Sequence, residues 1–502
     1  ALLNNEIRDF GIFGINLRNG TDGVVSGNQV GDGFWSAFSI NLDRVAFSLL
    51  VSDNRFFGNR FGIYCTNASP LIVGNLIDDT ARGITVFGNS SPLIVDGNQL
   101  VNNERAIELL GTGNGGPSPV IVGNSFQNST NEHIFADNYA DGSPETIIAT
   151  GNWWGSIALG DIVASIRDFT EADDAPVIDF SGFLSEPGGA PVDANLVVGG
   201  TLDGDFEWDA AEPYDVVGRL VVPAGASAEI PAGTELRFYE RTAGIDAEGS
   251  LLVLGVAGNP VRLTSGLPEP SGSDWNGITV HQQASDVIIR EAQFSYAHAA
   301  VLVTGIGASA EISSNSIQGA GLYGIRVEDR AEADVLNNSV AAPLPSSGVA
   351  VGISFQEADG LVQGNVTQNM DVGISLSDSS PDVIGNLSRS NRVGIEVFSK
   401  SSPQITGDNQ VIANLIGIEV KGDSTPNNNP SPITNGNSIF GNGANFVATN
   451  SFFDGNNVVL DATGNWWGST NPDVIADGII DSNDGLGSNT PTVDFSGFLG
   501  SR

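Results

Sequence analysis

The stretch Ala462-Thr463-Gly464-Asn465-Trp466-Trp467-Gly468-Ser469 decides how this chain is read, because it occurs twice. The earlier copy is Ala149-Thr150-Gly151-Asn152-Trp153-Trp154-Gly155-Ser156, so Asn152 and Asn465 lie 313 residues apart. Each copy is followed by one closing phrase, Asp179-Phe-Ser-Gly-Phe-Leu184 and Asp494-Phe-Ser-Gly-Phe-Leu499. A long internal repeat takes precedence over any residue-by-residue reading.

Working back from each Trp pair, a shorter period emerges. Asn recurs at Asn5, Asn28, Asn54, Asn75, Asn98, Asn124 and Asn152, with spacings of 23, 26, 21, 23, 26 and 28. The second series is Asn315, Asn338, Asn365, Asn386, Asn409, Asn437 and Asn465, with spacings of 23, 27, 21, 23, 28 and 28. Most of these Asn residues follow Gly, Asp or Asn, which tolerate a left-handed backbone. Short apolar runs come next, such as Gly83-Ile-Thr-Val-Phe87 and Gly394-Ile-Glu-Val-Phe398, and Ser-Pro pairs turn the chain at Ser91-Pro92, Ser380-Pro381 and Ser402-Pro403. The alternation has period 2, which means strands. A unit of this length with two or three short strands is one coil of an all-β parallel β-helix, whose apolar face is buried only when coils stack. The Asn at the same turn of each coil should then stack as a side-chain amide ladder.

This pattern resembles the right-handed parallel β-helix repeat superfamily, found in carbohydrate-active enzymes and in large secreted bacterial or archaeal surface proteins. The phrase Asn465-Trp466-Trp467-Gly468, an acidic stretch and a closing apolar phrase resemble the C-terminal end of β-helix domains in such surface proteins. The resemblance covers nearly the whole chain. It implies the fold and leaves the activity open, since the fold hosts many functions.

The repeat predicts tandem units. Residues 1–187 read as the C-terminal part of a first unit, 188–195 as a Gly/Pro linker, and 196–502 as a complete second unit. Within the second, 196–280 form opening coils, 281–465 Asn-ladder coils and 466–499 a closing lid. Ala1 falls at the place of about Glu311 in the second copy, so the expectation is a chain cut from a longer tandem array or one that stacks end to end on another molecule. Ile157 to Ile166 should form a short helix or irregular segment, with Trp153 and Trp154, and Trp466 and Trp467, capping the stacks beneath the closing segments.

The formal net charge is −39, with only two Lys, Lys400 and Lys421. That excludes nucleic acid as a partner, because phosphate binding needs clustered cations. No apolar run is long enough to span a membrane. The single Cys65 allows no intrachain disulfide and reads as a small inward side chain. Low Cys, abundant Gly and Asn and strong acidity point to an extracellular or cell-surface protein.

Candidate chemistry is sparse. Glu396 and Glu419 lie one coil apart on matching Gly-Ile-Glu-Val strands and are the best catalytic pair; the first copy has Thr85 and Glu108 there. None of the three His residues, His133, His281 and His298, sits in a motif of the β-helix hydrolases or epimerases, and each reads as a plain coil position. Asp173, Asp174, Asp481 and Asp484 offer oxygens suited to Ca²⁺ without the spacing of a calcium loop; Ca²⁺ is the one cofactor the sequence suggests. With aromatics at 8% of the chain, no outward aromatic ladder is expected. The balance favours an extracellular structural or adhesive repeat protein that forms a rod, fibre or filament. The alternative is a protein that binds or degrades acidic or neutral polysaccharide, and the discriminating feature is a sheet face with stacked aromatics and carboxylates.

Overall fold

The computed structural model describes residues 1–502 except 35, 140–144, 170, 171, 173, 193, 194, 203–207, 209, 211 and 343–349. The chain forms two compact units: residues 1–201 with 214–219, and residues 202–213 with 220–502. The Gly/Pro segment that the repeat marks as a linker folds back on itself, with Leu184 bridged to Pro191 and the Ser185 N–H donating to the Ala190 carbonyl.

In the first unit, three sheets each take one strand per coil. One carries long strands: Phe13–Arg18, Phe38–Asp43, Phe61–Thr66, Arg82–Phe87, Arg105–Leu110 and Ile134–Asp137. Two carry strands of two or three residues, such as Leu71–Val73 and Leu76–Asp78. Each strand pairs in parallel with its counterpart one coil on, so the unit is a parallel β-helix. The second unit repeats the plan, with long strands that include Gly277–Val280, Ala299–Thr304, Tyr323–Glu328, Val351–Gln356, Val372–Ser377, Val393–Phe398 and Ile416–Lys421.

The register explains the core. Ile15, Ile40, Ile63, Ile84, Ile107 and Ile134 are successive partners along the long-strand sheet and point inward. Ile325, Ile353, Ile374, Ile395 and Ile418 do the same in the second unit. Each buried Ile contributes on the order of 2 kcal/mol. Cys65 lies in the neighbouring inward column between Leu42 and Val86, where burial pushes its thiol up to about 12.

The Asn residues form a continuous buried ladder in each unit. The Oδ1 of nearly every ladder Asn accepts the backbone N–H of the Asn one coil earlier, as in Asn54 N to Asn75 (3.0 Å), Asn75 N to Asn98 (2.9 Å) and Asn386 N to Asn409 (2.8 Å). The Nδ2 donates onward to the next Oδ1 and back to a carbonyl of the preceding coil, for example Asn75 to Val51. Asn28, Asn54, Asn98, Asn124 and Asn152 in the first unit, and Asn338, Asn365, Asn386, Asn409, Asn437 and Asn465 in the second, are all buried in this way. The residue before every ladder Asn has positive φ, whether Gly74 (63°), Asp53 (54°) or Ser314 (57°). This turn points the Asn inward and removes its N–H from the sheet ladders, so a side chain must satisfy it.

A second, shorter amide ladder runs five residues on. Asn391 accepts from the Met370 N–H, Asn414 from Asn391 and Asn442 from Asn414.

Each unit ends in a closing segment. After the Trp pairs come short helices, Leu159–Ala164 and Pro472–Ala476, the second capped by Asn471, which accepts from Asp473 N–H. Their buried Ile162 and Ile475 cover the last coil, and the strands Ile166–Arg167 and Ile479–Ile480 then pair with Ile134–Asp137 and Ala444–Ala448. Only the second Trp of each pair packs inside: Trp154 and Trp467 are buried, whereas Trp153 and Trp466 stay half-exposed. Successive side chains of an extended segment alternate in direction, so both Trp of a pair do not cap the same core.

Replacing Asn386 by Ala removes the acceptor of the Asn365 N–H and leaves that buried group unpaired. The expected loss is on the order of 2–4 kcal/mol of unfolding free energy, read by chemical denaturation. An exposed Asn with an ordinary backbone, such as Asn89, replaced by Ala should change stability by less than about 0.5 kcal/mol.

Candidate functional site

Four side-chain groupings among the described residues carry chemistry, and the sequence pointed to two of them, the Glu396–Glu419 pair and the acidic ends. Glu396 and Glu419 are register partners on the outer face of the long-strand sheet. Lys421 Nζ lies 2.6 Å from Glu396 Oε1 and 2.9 Å from Glu419 Oε2, the second contact off the hydrogen-bonding direction. Burial alone would lower the Lys421 pKa; the hydrogen bonds and charges of the two carboxylates outweigh it and raise it. The ammonium thus occupies the space between the carboxylates that a substrate would need.

The acidic ends serve the backbone. Asp481 accepts the N–H groups of Asn483 (2.8 Å) and Val493 (2.9 Å), while Asp484 accepts that of Asp481 (2.9 Å). The first-unit counterpart of Asp481 is Asp168, which accepts from Ile178 N–H (3.1 Å). Asp174 is half-buried and gives its carbonyl to Tyr139 N–H, and Asp173 lies outside the described residues. Among the described residues, no three Asp, Glu, His or Cys side chains gather as a metal site would require.

The outer face of the long-strand sheet in the first unit corrects the expectation about aromatics. Phe13 meets Phe38 at 5.3 Å between ring centroids, Phe38 stacks on Phe61 at 4.5 Å and 6°, and Tyr64 stands edge-on to both. All four rings are half-exposed. One and two coils on, their column continues as Arg82 and Arg105, both bonded to Glu108 (3.0 and 2.8 Å); Arg105 also bonds Glu132 (3.0 Å). Phe135 is flanked by Arg105 and Arg167, at 3.5 and 4.8 Å from its centroid. The sequence signal was present but unread: Phe13, Phe38 and Phe61 each stand two residues before an inward Ile.

All three His side chains are hydrogen-bonded. His281 Nε2 lies 3.0 Å from Asp246 Oδ1, and Asp246 is buried. A carboxylate accepts, so Nε2 carries a proton, and in the neutral ring the lone pair is on Nδ1. His281 edges an open hollow of about 310 Å³ shared with Glu248, Gln282 and Thr304. His298 is exposed, with Nδ1 3.0 Å from Ser273 Oγ. His133 is buried at the end of the first unit, with Nδ1 2.8 Å from Ser129 Oγ and Nε2 3.1 Å from the Trp154 carbonyl. The indole N–H groups of Trp154 and Trp467 find no partner among the described residues.

Residues 1–130 and 276–463, more than half of the chain, match the family described as the right handed beta helix region. The chain belongs to this right-handed β-helix family. Residues 200–320, which contain the Asp246–His281 hollow, match the pectate-lyase like beta helix domain. No curated protein matches the chain.

Burial lowers the His133 pKa to about 4, with the Trp154 carbonyl opposing part of the shift. The folded state therefore keeps His133 neutral while the unfolded chain takes a proton below about pH 6.5. The stability His133 brings is fully present above pH 6.5 and is lost as pH falls toward 4, on the order of 3 kcal/mol in all. Denaturation at pH 7 and pH 4 should show a larger acid loss for the natural chain than for His133→Asn; equal losses would place the titration elsewhere.

Proposed function

We propose that the chain is an extracellular β-helix protein that adheres to polysaccharide through the outer face of the long-strand sheet in its first unit. The observation that carries this reading is the joined column of Phe13, Phe38, Phe61 and Tyr64 with Arg82, Glu108, Arg105 and Glu132. Half-exposed rings offer apolar surface to the C–H faces of sugars, and rigid Arg–carboxylate pairs offer donors and acceptors to hydroxyl groups. The arginines are locally balanced by Glu108, Glu132 and Asp137, and the whole chain is strongly negative. Such a surface suits a neutral or weakly charged polymer better than a densely anionic one. The fold's match to a pectate-lyase like domain supports a polysaccharide context.

One observation favours cleavage as a second reading. The buried Asp246 fixes the tautomer of the neutral His281 ring with its lone pair on Nδ1, and His281 lines a hollow with Glu248, as a general base requires.

Affinity electrophoresis of the whole chain through gels holding neutral or acidic polysaccharides tests both. Tyr64→Ala and Arg82→Ala should each weaken retention about fivefold or more, a loss of roughly 1 kcal/mol, and Glu396→Gln should not. Circular dichroism checks that the variants fold. Absence of retention on every polymer, or retention indifferent to Tyr64 and Arg82, overturns the binding surface. Product release that persists in His281→Ala removes the second reading.

A further inference from the structure

The pair Ser129–His133 is not used by the reading above, and its geometry is that of a nucleophile and its base. His133 Nε2 faces the Trp154 carbonyl, which only accepts, so Nε2 holds the proton. Nδ1 is then a bare lone pair, and the nearest hydroxyl is Ser129 Oγ at 2.8 Å. The serine hydroxyl donates to the imidazole, and the imidazole is oriented by a third group on its far side. Ser129 is half-exposed and opens onto a cavity of about 400 Å³, lined also by Gln127, Trp153, Gly155, Ser156 and Asp161. The exposed Ser273–His298 pair has no such orienting contact on its other ring nitrogen among the described residues.

The second unit supplies an internal comparison. His133 and Ile134 donate their N–H groups to the Ser165 carbonyl as Asn445 and Phe446 donate theirs to Gly478. Thr130 donates to the Asn103 carbonyl as Gly443 does to Asn414. Ser129 and His133 thus stand where Asn442 and Asn445 stand, and those two amides are bonded to each other at 3.1 Å. Asn442 Oδ1 also closes the short ladder by accepting the Asn414 N–H, whereas the Ser129 hydroxyl is turned to His133. The coil corner is therefore satisfied by two asparagines, and the fold does not call for a serine and a buried imidazole.

We propose that Ser129 and His133 form an acyl-transfer site that hydrolyses esters, with O-acyl groups on sugar hydroxyls as the substrate class. Ser129 Oγ bonds to the ester carbonyl carbon while its proton passes to His133 Nδ1. The bond from that carbon to the alcohol oxygen breaks, and the alcohol leaves with the proton from Nδ1. Water then adds to the acyl-serine, gives its proton to Nδ1, and the acid departs as the serine oxygen is reprotonated. The balance is ester plus water to acid plus alcohol, with no other reactant. The Trp154 carbonyl is a positioning group that holds the ring and stabilises the transient imidazolium. The sugar part of the substrate rests on the polysaccharide reading; the ester chemistry does not.

The whole chain treated with a fluorophosphonate should carry one adduct on Ser129, located by peptide mass spectrometry. It should hydrolyse p-nitrophenyl acetate, and Ser129→Ala should lower the rate by about a hundredfold or more, the usual scale for a nucleophile and its base. The double change Ser129→Asn with His133→Asn copies the Asn442–Asn445 pair, so it should fold and be equally inactive. Because burial keeps His133 neutral, the acid limb of the natural chain should fall near pH 4 and not near 6.5. No adduct at Ser129, or turnover that survives in the double variant, overturns the proposal whatever polymers the chain binds. Acetate release from an acetylated polysaccharide, abolished by Ser129→Ala, supports the full substrate class. Adduct and turnover without acetate release from any acetylated polymer retain the esterase and overturn its sugar substrate.

Discussion

The structure depends on how a coil pairs the backbone N–H at its tightest turn. The residue before each ladder Asn is left-handed, and the N–H of the Asn then points away from the sheet ladders. A buried N–H without a partner costs about as much as a lost hydrogen bond. The Asn amide meets this need from the neighbouring coil and passes its own Nδ2 protons onward and back. The side chain is thereby part of the main-chain hydrogen bonding, and the same contact sets the axial register of coils whose lengths differ by up to seven residues. With register set, each inward position meets the inward position of the next coil, which lets one Ile column run through the long-strand sheet of each unit.

Outward positions escape that constraint. Positions occupied by Phe38, Phe61 and Arg82 in the first unit hold Val351, Val372 and Val393 in the second, and those of Tyr64, Thr85 and Glu108 hold Ser375, Glu396 and Glu419. The core is alike in both units and the outer faces are not. In the first unit, arginines gather on one face and bind Glu108 and Glu132, so the surface there is nearly balanced within a strongly acidic chain. Buried or half-buried pairs of this kind add little stability by themselves, since desolvation offsets much of the attraction. Their fixed geometry is what a polymer with many hydroxyl groups can use.

The sequence was legible where one residue type answers one backbone need. The Asn period, the left-handed residue before it and the inward Ile were readable because each recurs at nearly constant spacing. The second ladder at Asn391, Asn414 and Asn442 escaped notice, although each member stands five residues after a first-ladder Asn. The outer aromatic column escaped because composition averages over the chain, while Phe13, Phe38 and Phe61 are concentrated by register on one face. The carboxylate pair Glu396–Glu419 was visible as a stack, but the Lys421 ammonium between them was not, since it comes from two residues further along the strand. The histidines were least legible: Asp246 and His281 are 35 residues apart, and only the coil register brings them together.

Two copies of one design in a single chain separate what the fold requires from what it permits. At the coil corner near the end of each stack, Asn442 and Asn445 show a pair that the fold can use, with amide groups bonded to each other and to the ladder. The first unit places Ser129 and His133 there instead, and burying an imidazole carries a desolvation cost visible in the lowered pKa. Packing offsets only part of that cost: the His133 ring stacks on Phe126 at 5.7 Å and meets Trp154 at 6.3 Å, while Trp154 keeps its own contacts with Phe126 and Phe180. A side chain that is costly to bury, replaceable in the sibling coil and bonded to a hydroxyl at the mouth of a cavity is more economically explained by chemistry than by architecture.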